Sequence, residues 1–177
     1  MLNFYYICNQ KAMGKISDHI KKVLEKNDLH FDTRQNEEDS LTTFIFGIKG
    51  DNIHMRVNIV ADEDGERYMI RCYPDWYVPK DRRADILSLL NSMNVSRWLT
   101  RVGLDPEDGE LAYVWTVLCK GSILSEETTE NYIYATINMA DDETTEVLKA
   151  VYGGGNPATS DKESGEGILP WTPRSDN

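Results

Sequence analysis

The chain has 177 residues, 40% hydrophobic and 10% aromatic, which is enough apolar material for one domain with a real core and too much for global disorder. Its 30 acidic and 19 basic residues leave a formal net charge of −11, a surface that repels phosphate backbones and anionic membranes, so neither nucleic acid nor membrane is an expected partner. The cysteines Cys8, Cys72 and Cys119 are odd in number, far apart and without C-x-x-C spacing, which argues against a disulfide framework or a zinc knuckle.

The opening stretch, residues 1–10, carries the apolar run Leu2 to Cys8 without a basic segment before it or a small-residue cleavage site after it, so it does not read as a secretory signal. No segment reaches the roughly 20 apolar residues of a bilayer span. A cytoplasmic location is expected. Met13, Ile16, Ile20, Val23 and Leu24 recur at helical spacing and predict an amphipathic helix over residues 12–26. A short strand is expected over 29–34, then a polar loop over 35–40. Phe44, Phe46 and Ile48 share one face of the next strand, and Gly50-Asp51-Asn52 turns the chain. Ile53, Met55, Val57, Ile59 and Ala61 alternate against His54, Arg56 and Asn58, the cleanest period-2 signal in the sequence. Asp62-Glu63-Asp64-Gly65-Glu66 reads as a hairpin turn, with Tyr68, Ile70 and Cys72 returning until Pro74.

A helix is predicted over residues 81–98, its inner stripe marked by Ile86, Leu87, Leu90, Met93 and Asn94. Asp105 to Glu110 makes a second hairpin turn. The strand after it, residues 111–119, is apolar on both faces, which implies a helix on one side and room for a second subunit on the other. Ser125 is placed as an N-cap, with Glu126 and Glu127 at the positive end of the following helix. Asp141-Asp142-Glu143 is expected to interrupt that helix and start another, ended by Gly153-Gly154-Gly155. The organisation is one domain over residues 1–155 and a flexible tail over 156–177. The class is α+β, an antiparallel sheet with helices packed on it.

Three segments carry a resemblance. Residues 79–94 read P-x-x-x-R…I-L-x-L-L-N-x-M-N. Residues 104–113 read L-D-x-x-D-G-E-L-x-Y. Leu124-Ser125-Glu126-Glu127 opens a helix that runs to Val151-Tyr152-Gly153. In this order the chain resembles the YbjN-like family of bacterial proteins, also labelled bacterial sensory-transduction regulators, over about residues 12–153. That resemblance implies the fold of the small acidic chaperones of type III secretion, a homodimer, a protein or peptide partner, and no catalysis.

Reactive chemistry finds little footing. An EF-hand counted from Gly65 would need ligands at Val60 and Arg71, and one counted from Gly109 would put Leu104 and Trp115 in those places, so both acidic loops read as turns. His19, His30 and His54 lack the spacing of a metal site, and the candidate nucleophile Cys72 is expected on the opposite face of its sheet from His54. The glycines at 153–155 are not followed by Lys-Ser/Thr and make no phosphate loop. Lys80, Arg82 and Arg83 read as a solvated basic patch. Neither metal nor organic cofactor is expected, and an enzyme with an unrecognised acidic site is the alternative class. Binding residues are sought among the aromatics instead: Trp76 and Tyr77 in a loop, Trp98 at a helix end, and Leu169 with Trp171 in the tail's one apolar island.

Overall fold

The computed structural model describes residues 14–36 and 39–153. Chain order is α1 (Lys15–Lys26), β1 (Asp32–Asn36), β2 (Leu41–Lys49), β3 (His54–Asp62), β4 (Arg67–Pro74), a 3₁₀ turn (Lys80–Arg82), α2 (Arg83–Val95), β5 (Thr100–Leu104), β6 (Leu111–Leu118) and α3 (Glu126–Tyr152). The six strands form one antiparallel sheet in the order β1-β2-β3-β4-β6-β5. The expected α+β class is therefore observed. The opening stretch and the expected tail lie outside the described residues.

Strand alternation decides which side chains enter the core. Phe44, Ile59, Ile70 and Trp115 stand in one cross-strand row, and Phe46, Val57, Cys72, Tyr113 and Val102 in the next. All three helices pack on this face. Ile16, Ile20, Val23 and Leu24 of α1, Ile86 and Leu90 of α2, and Ile133, Ile137, Val147 and Val151 of α3 join the strand residues in one core. Trp115, half-buried, stacks on Tyr132 of α3 at 4.6 Å between ring centroids.

Three expectations are corrected. The run Asp141-Asp142-Glu143 does not break the last helix: α3 is continuous over 27 residues. Its acids face three ways. Asp142 is exposed. Glu143 pairs with Arg97. Asp141 is buried and accepts the backbone N–H groups of Asp51, Asn52 and Ile53 at 2.9–3.1 Å, as well as the Asn52 side-chain amide. A buried carboxylate tied to a neighbouring turn is compatible with helical backbone, because its hydrogen bonds leave the helix ladder intact.

The second correction concerns α2, which begins at Arg83 after the 3₁₀ turn and stops at Val95. Asn94 explains the early stop. Its side chain donates to the Val102 carbonyl at 2.8 Å and accepts from the Val102 N–H at 2.9 Å, acting as an extra strand residue that draws the chain into β5. Third, β1 covers Asp32–Asn36, and all five residues are exposed. Leu29 and Phe31 precede it and pack on the core, Phe31 edge-on to Phe44 at 5.5 Å. The helix expected on one face of β6 is there, with α3 packed over Trp115. On the other face Val114 is buried, but Leu118 is 72% exposed.

The start of α1 is capped from a distance. Its N-cap residue Gly14 has no side chain to offer. Glu63, in the β3–β4 turn, instead accepts the N–H groups of Ile16 and Ser17 and the Ser17 hydroxyl at 2.7–3.2 Å. A carboxylate at a helix N-terminus satisfies orphan donors and meets the positive end of the dipole.

Candidate functional site

The motifs that carry the family resemblance meet in space, and they are used on backbone. Arg83 reaches across to the β5–β6 loop. Its guanidinium donates to the carbonyls of Val78, Pro106, Glu107 and Asp108 at 2.6–3.1 Å. Gly109 completes the loop with φ of 88° and accepts the Val78 N–H at 2.9 Å. Asp105 and Asp108 each accept the N–H two residues on, at 2.8 Å. Arg82 donates to the Ala150 carbonyl at 2.8 Å, a cation at the negative end of α3. The supposed basic patch is thus corrected: Arg82 and Arg83 hold loops and helix ends, and only Lys80 of the three is exposed.

The groups with chemical potential are dispersed. Cys72 pairs in register with Val57 on the helix face and is fully buried, whereas His54 pairs with Lys49 on the other face and is exposed. Burial pushes the Cys72 thiol up to about 12. Cys119 is buried too, and burial, with Glu63 and Glu66 nearby, raises its pKa. His19 is a satisfied histidine, its Nε2 2.9 Å from the Thr129 hydroxyl, which also accepts from the buried Tyr68 hydroxyl at 3.2 Å. Burial, opposed by Glu126 and aided by Lys22, holds the His19 pKa below its ordinary value.

Asp62 closes its own turn, accepting from the Gly65 N–H and from Arg67 Nε at 2.8 Å each. Among the described residues no three His, Cys, Asp or Glu side chains stand close enough to hold a metal ion. A groove of about 460 Å³ beside Lys15, Glu63, Glu66 and Cys119 is large enough for a small ligand. However, Glu63 is committed to the α1 cap and the Cys119 thiol is protonated at neutral pH.

A thiolate is the reacting form of cysteine, so this burial has a measurable consequence. In a Cys8→Ser variant at about pH 8, iodoacetamide should alkylate Cys72 and Cys119 at least about a hundredfold more slowly in the native protein than in urea. Rapid native labelling of Cys72 would reopen the nucleophile reading.

The aromatic candidates are not brought together. Trp76 is half-buried against the core, with its indole N–H lacking an acceptor. Tyr77 is 55% exposed, and its backbone bridges to Glu110. Both precede α2. Trp98, 97% exposed, follows it, so the 13 residues of α2 hold the two positions apart by roughly 20 Å. Leu169 and Trp171 lie outside the described residues.

Trp98 does have company that sequence reasoning missed. Leu87, expected on the inner stripe of the helix, is instead exposed, as are Val95 and Leu99. Val95 ends α2, and Trp98 and Leu99 follow within four residues of it, whereas Leu87 stands two turns earlier with exposed Asn91 between. The signal in the sequence was a weak one: α2 mixes seven apolar with six polar residues and has only a weak amphipathic bias, so its apolar side chains are not confined to the packed side.

Among the described residues no helix is long and apolar enough to cross a membrane. No curated protein matches the chain. The crystal structure of YbjN, described as "a putative transcription regulator from E. coli", is similar with a TM-score of 0.54 at 10% identity, covering 78% of this chain and 93% of that one. The crystal structure of the ExsC–ExsE complex contains a chain with a TM-score of 0.46 at 13% identity, covering 75% of this chain and 93% of that one. The model of the YbjN family, described as "Putative bacterial sensory transduction regulator", matches residues 17–148. That match spans all three helices and all six strands but for their outermost residues, and the chain belongs to the YbjN family.

Proposed function

We propose that the chain is a non-catalytic, protein-binding, chaperone-like regulatory module of the cytoplasm that works as a homodimer. The observation that carries this reading is the exposed apolar group Val95, Trp98 and Leu99 where α2 leads into β5, the edge strand of the sheet. A large exposed tryptophan flanked by aliphatic side chains is the composition of an interface centre, and isolated soluble surfaces rarely carry one. Two copies that bury this group against each other about a two-fold axis would cover it on both at once. In this reading residues 1–155 are the one domain. Residues 156–177 are a tail whose Leu169 and Trp171 assist Trp76 and Tyr77 in partner capture.

Light scattering tests the assembly. The full chain should have twice its 20.3 kDa mass at micromolar concentration, and Trp98→Asp should halve it without changing the far-UV spectrum. A wild-type monomer at high micromolar concentration would sink the homodimer. For the partner, immobilised wild-type chain should retain a specific protein from a bacterial lysate. Retention of none would sink the binding reading.

A further inference from the structure

The sheet face opposite the helices has a charge unlike the rest of the molecule. By alternation it presents Arg34, Lys49, Arg56, Arg67, Arg71 and Arg101. Against these it sets Asp32, Asp62 and Glu110, in a chain whose net charge is −11. Glu110 neutralises Arg56 and Asp62 neutralises Arg67, each at 2.8 Å. Arg71 and Arg101 have no carboxylate partner among the described residues.

Arg71 lies on an inner strand and Arg101 on the edge strand β5. Arg71 on β4 and Arg101 on β5 both pair in register with Val114 on β6, so the two guanidinium stems flank one buried valine. Two strand spacings separate them, roughly 10 Å. Arg71 is half-buried, and its donors find only the Met69 sulfur at 3.0 Å and the Tyr73 hydroxyl at 3.4 Å. Its register neighbour Asn58 has a side-chain oxygen that is buried and without a donor. Arg56, paired with Glu110, lies over the ring of its register neighbour Tyr73 at 4.5 Å. Around these stand half-buried Ile45, Val60 and Met69. A half-buried guanidinium left with a thioether and a phenol among apolar side chains is set for an incoming carboxylate, while the Asn58 oxygen would take a backbone N–H of the same segment.

We infer that this face docks an extended, acidic segment of the partner polypeptide, whose carboxylates meet Arg71 and Arg101 while its apolar side chains cover Val114, Val60 and Met69. This rests on the protein-binding reading and names the chemistry of its ligand. The rest of the surface, being strongly acidic, turns away a long phosphate polymer but not a short segment confined to this face.

The probe is a fluorescein-labelled twelve-residue peptide alternating glutamate with valine, titrated with the full chain and compared with its glutamine counterpart and a DNA duplex. The glutamate peptide should bind. Arg71→Gln and Arg101→Glu should each weaken it by about tenfold or more, and raising salt should weaken it further. Arg71→Lys should retain part of the affinity. Because Arg101 is exposed, its variant should stay folded, which circular dichroism checks.

Failure of the glutamate peptide to bind overturns the inference, as does equal binding of the glutamine peptide or tighter binding of DNA. Affinity that rises about tenfold on truncation after Gly155 overturns it in favour of the chain's own tail. In lysate capture, wild-type and Arg101→Glu chains retaining the same partner equally would sink this inference and leave the protein-binding reading standing. Capture of nothing by the wild type would sink that reading itself.

Discussion

Asp141→Asn should lower stability by about 3 kcal/mol near neutral pH, and with it the melting temperature by roughly 10 °C. The substitution keeps the shape of the side chain. It removes the charge and turns one accepting oxygen into a donor that faces the N–H groups of Asp51, Asn52 and Ile53. A buried donor without an acceptor is the costly case. Burial alone would raise the Asp141 pKa, but the hydrogen bonds from Ile53, Asn52 and Asp51 outweigh it and hold the carboxyl below its ordinary value.

The sign of the pH effect follows. A depressed folded-state pKa contributes stability that is fully present above the unfolded value, about 3.9, and is lost as pH falls through the folded value. The gap between wild type and variant should therefore be wide at about pH 7 and shrink below about pH 4. Urea denaturation at both pH values measures it. A neutral-pH loss under about 1 kcal/mol would mean that the β2–β3 turn holds itself without α3. Gly50 belongs to the same contact: a Cβ there would overlap the Asp141 carboxylate, so the glycine permits the turn to approach the helix.

Gly109→Ala should cost about 3 kcal/mol or more, through two causes that neighbouring glycines separate. At φ of 88° an L side chain is strained, by roughly 1–2 kcal/mol. In addition, the new Cβ would collide with the Val78 carbonyl and crowd the Arg83 guanidinium. The carbonyl is backbone, and Arg83 is already holding four of them, so neither can move aside cheaply. Gly121 has φ of 80° with open space around it, so Gly121→Ala should show the backbone strain alone. Gly103 has open space and no positive φ, and Gly103→Ala should be near neutral. Thermal melts of the three variants would separate the terms. Equal losses at 109 and 121 would show that the Val78–Arg83–loop contact contributes nothing.

These two sites also mark the boundary of what sequence reasoning reaches. Period-2 alternation in β2, β3 and β4 and the i, i+3, i+4 spacing of Ile16, Ile20, Val23 and Leu24 identified the core residues, because a half-buried strand or helix must repeat its apolar side with its own geometry. The two turn sequences with Asp and Gly, and Ser125 as the cap of α3, whose hydroxyl accepts the Thr128 N–H at 3.1 Å, were legible for the same reason: their hydrogen bonds are local. The family was legible in the order of its segments.

What the sequence could not determine is long-range. An acidic triplet breaks a helix or not according to where its carboxylates find donors, and Asp141 finds them 90 residues earlier in the chain. Arg82 and Arg83 looked like surface charge because the carbonyls they hold are up to 68 residues away. Gly14 lacks a cap in its own segment and takes one from Glu63. The arginines of the open face come from four different strands, and only the register of the sheet sets Arg71 and Arg101 on either side of Val114. Local periodicity determines which side chains a segment buries; which charges become neighbours is decided only when strands pair, because pairing joins residues that no sequence spacing relates.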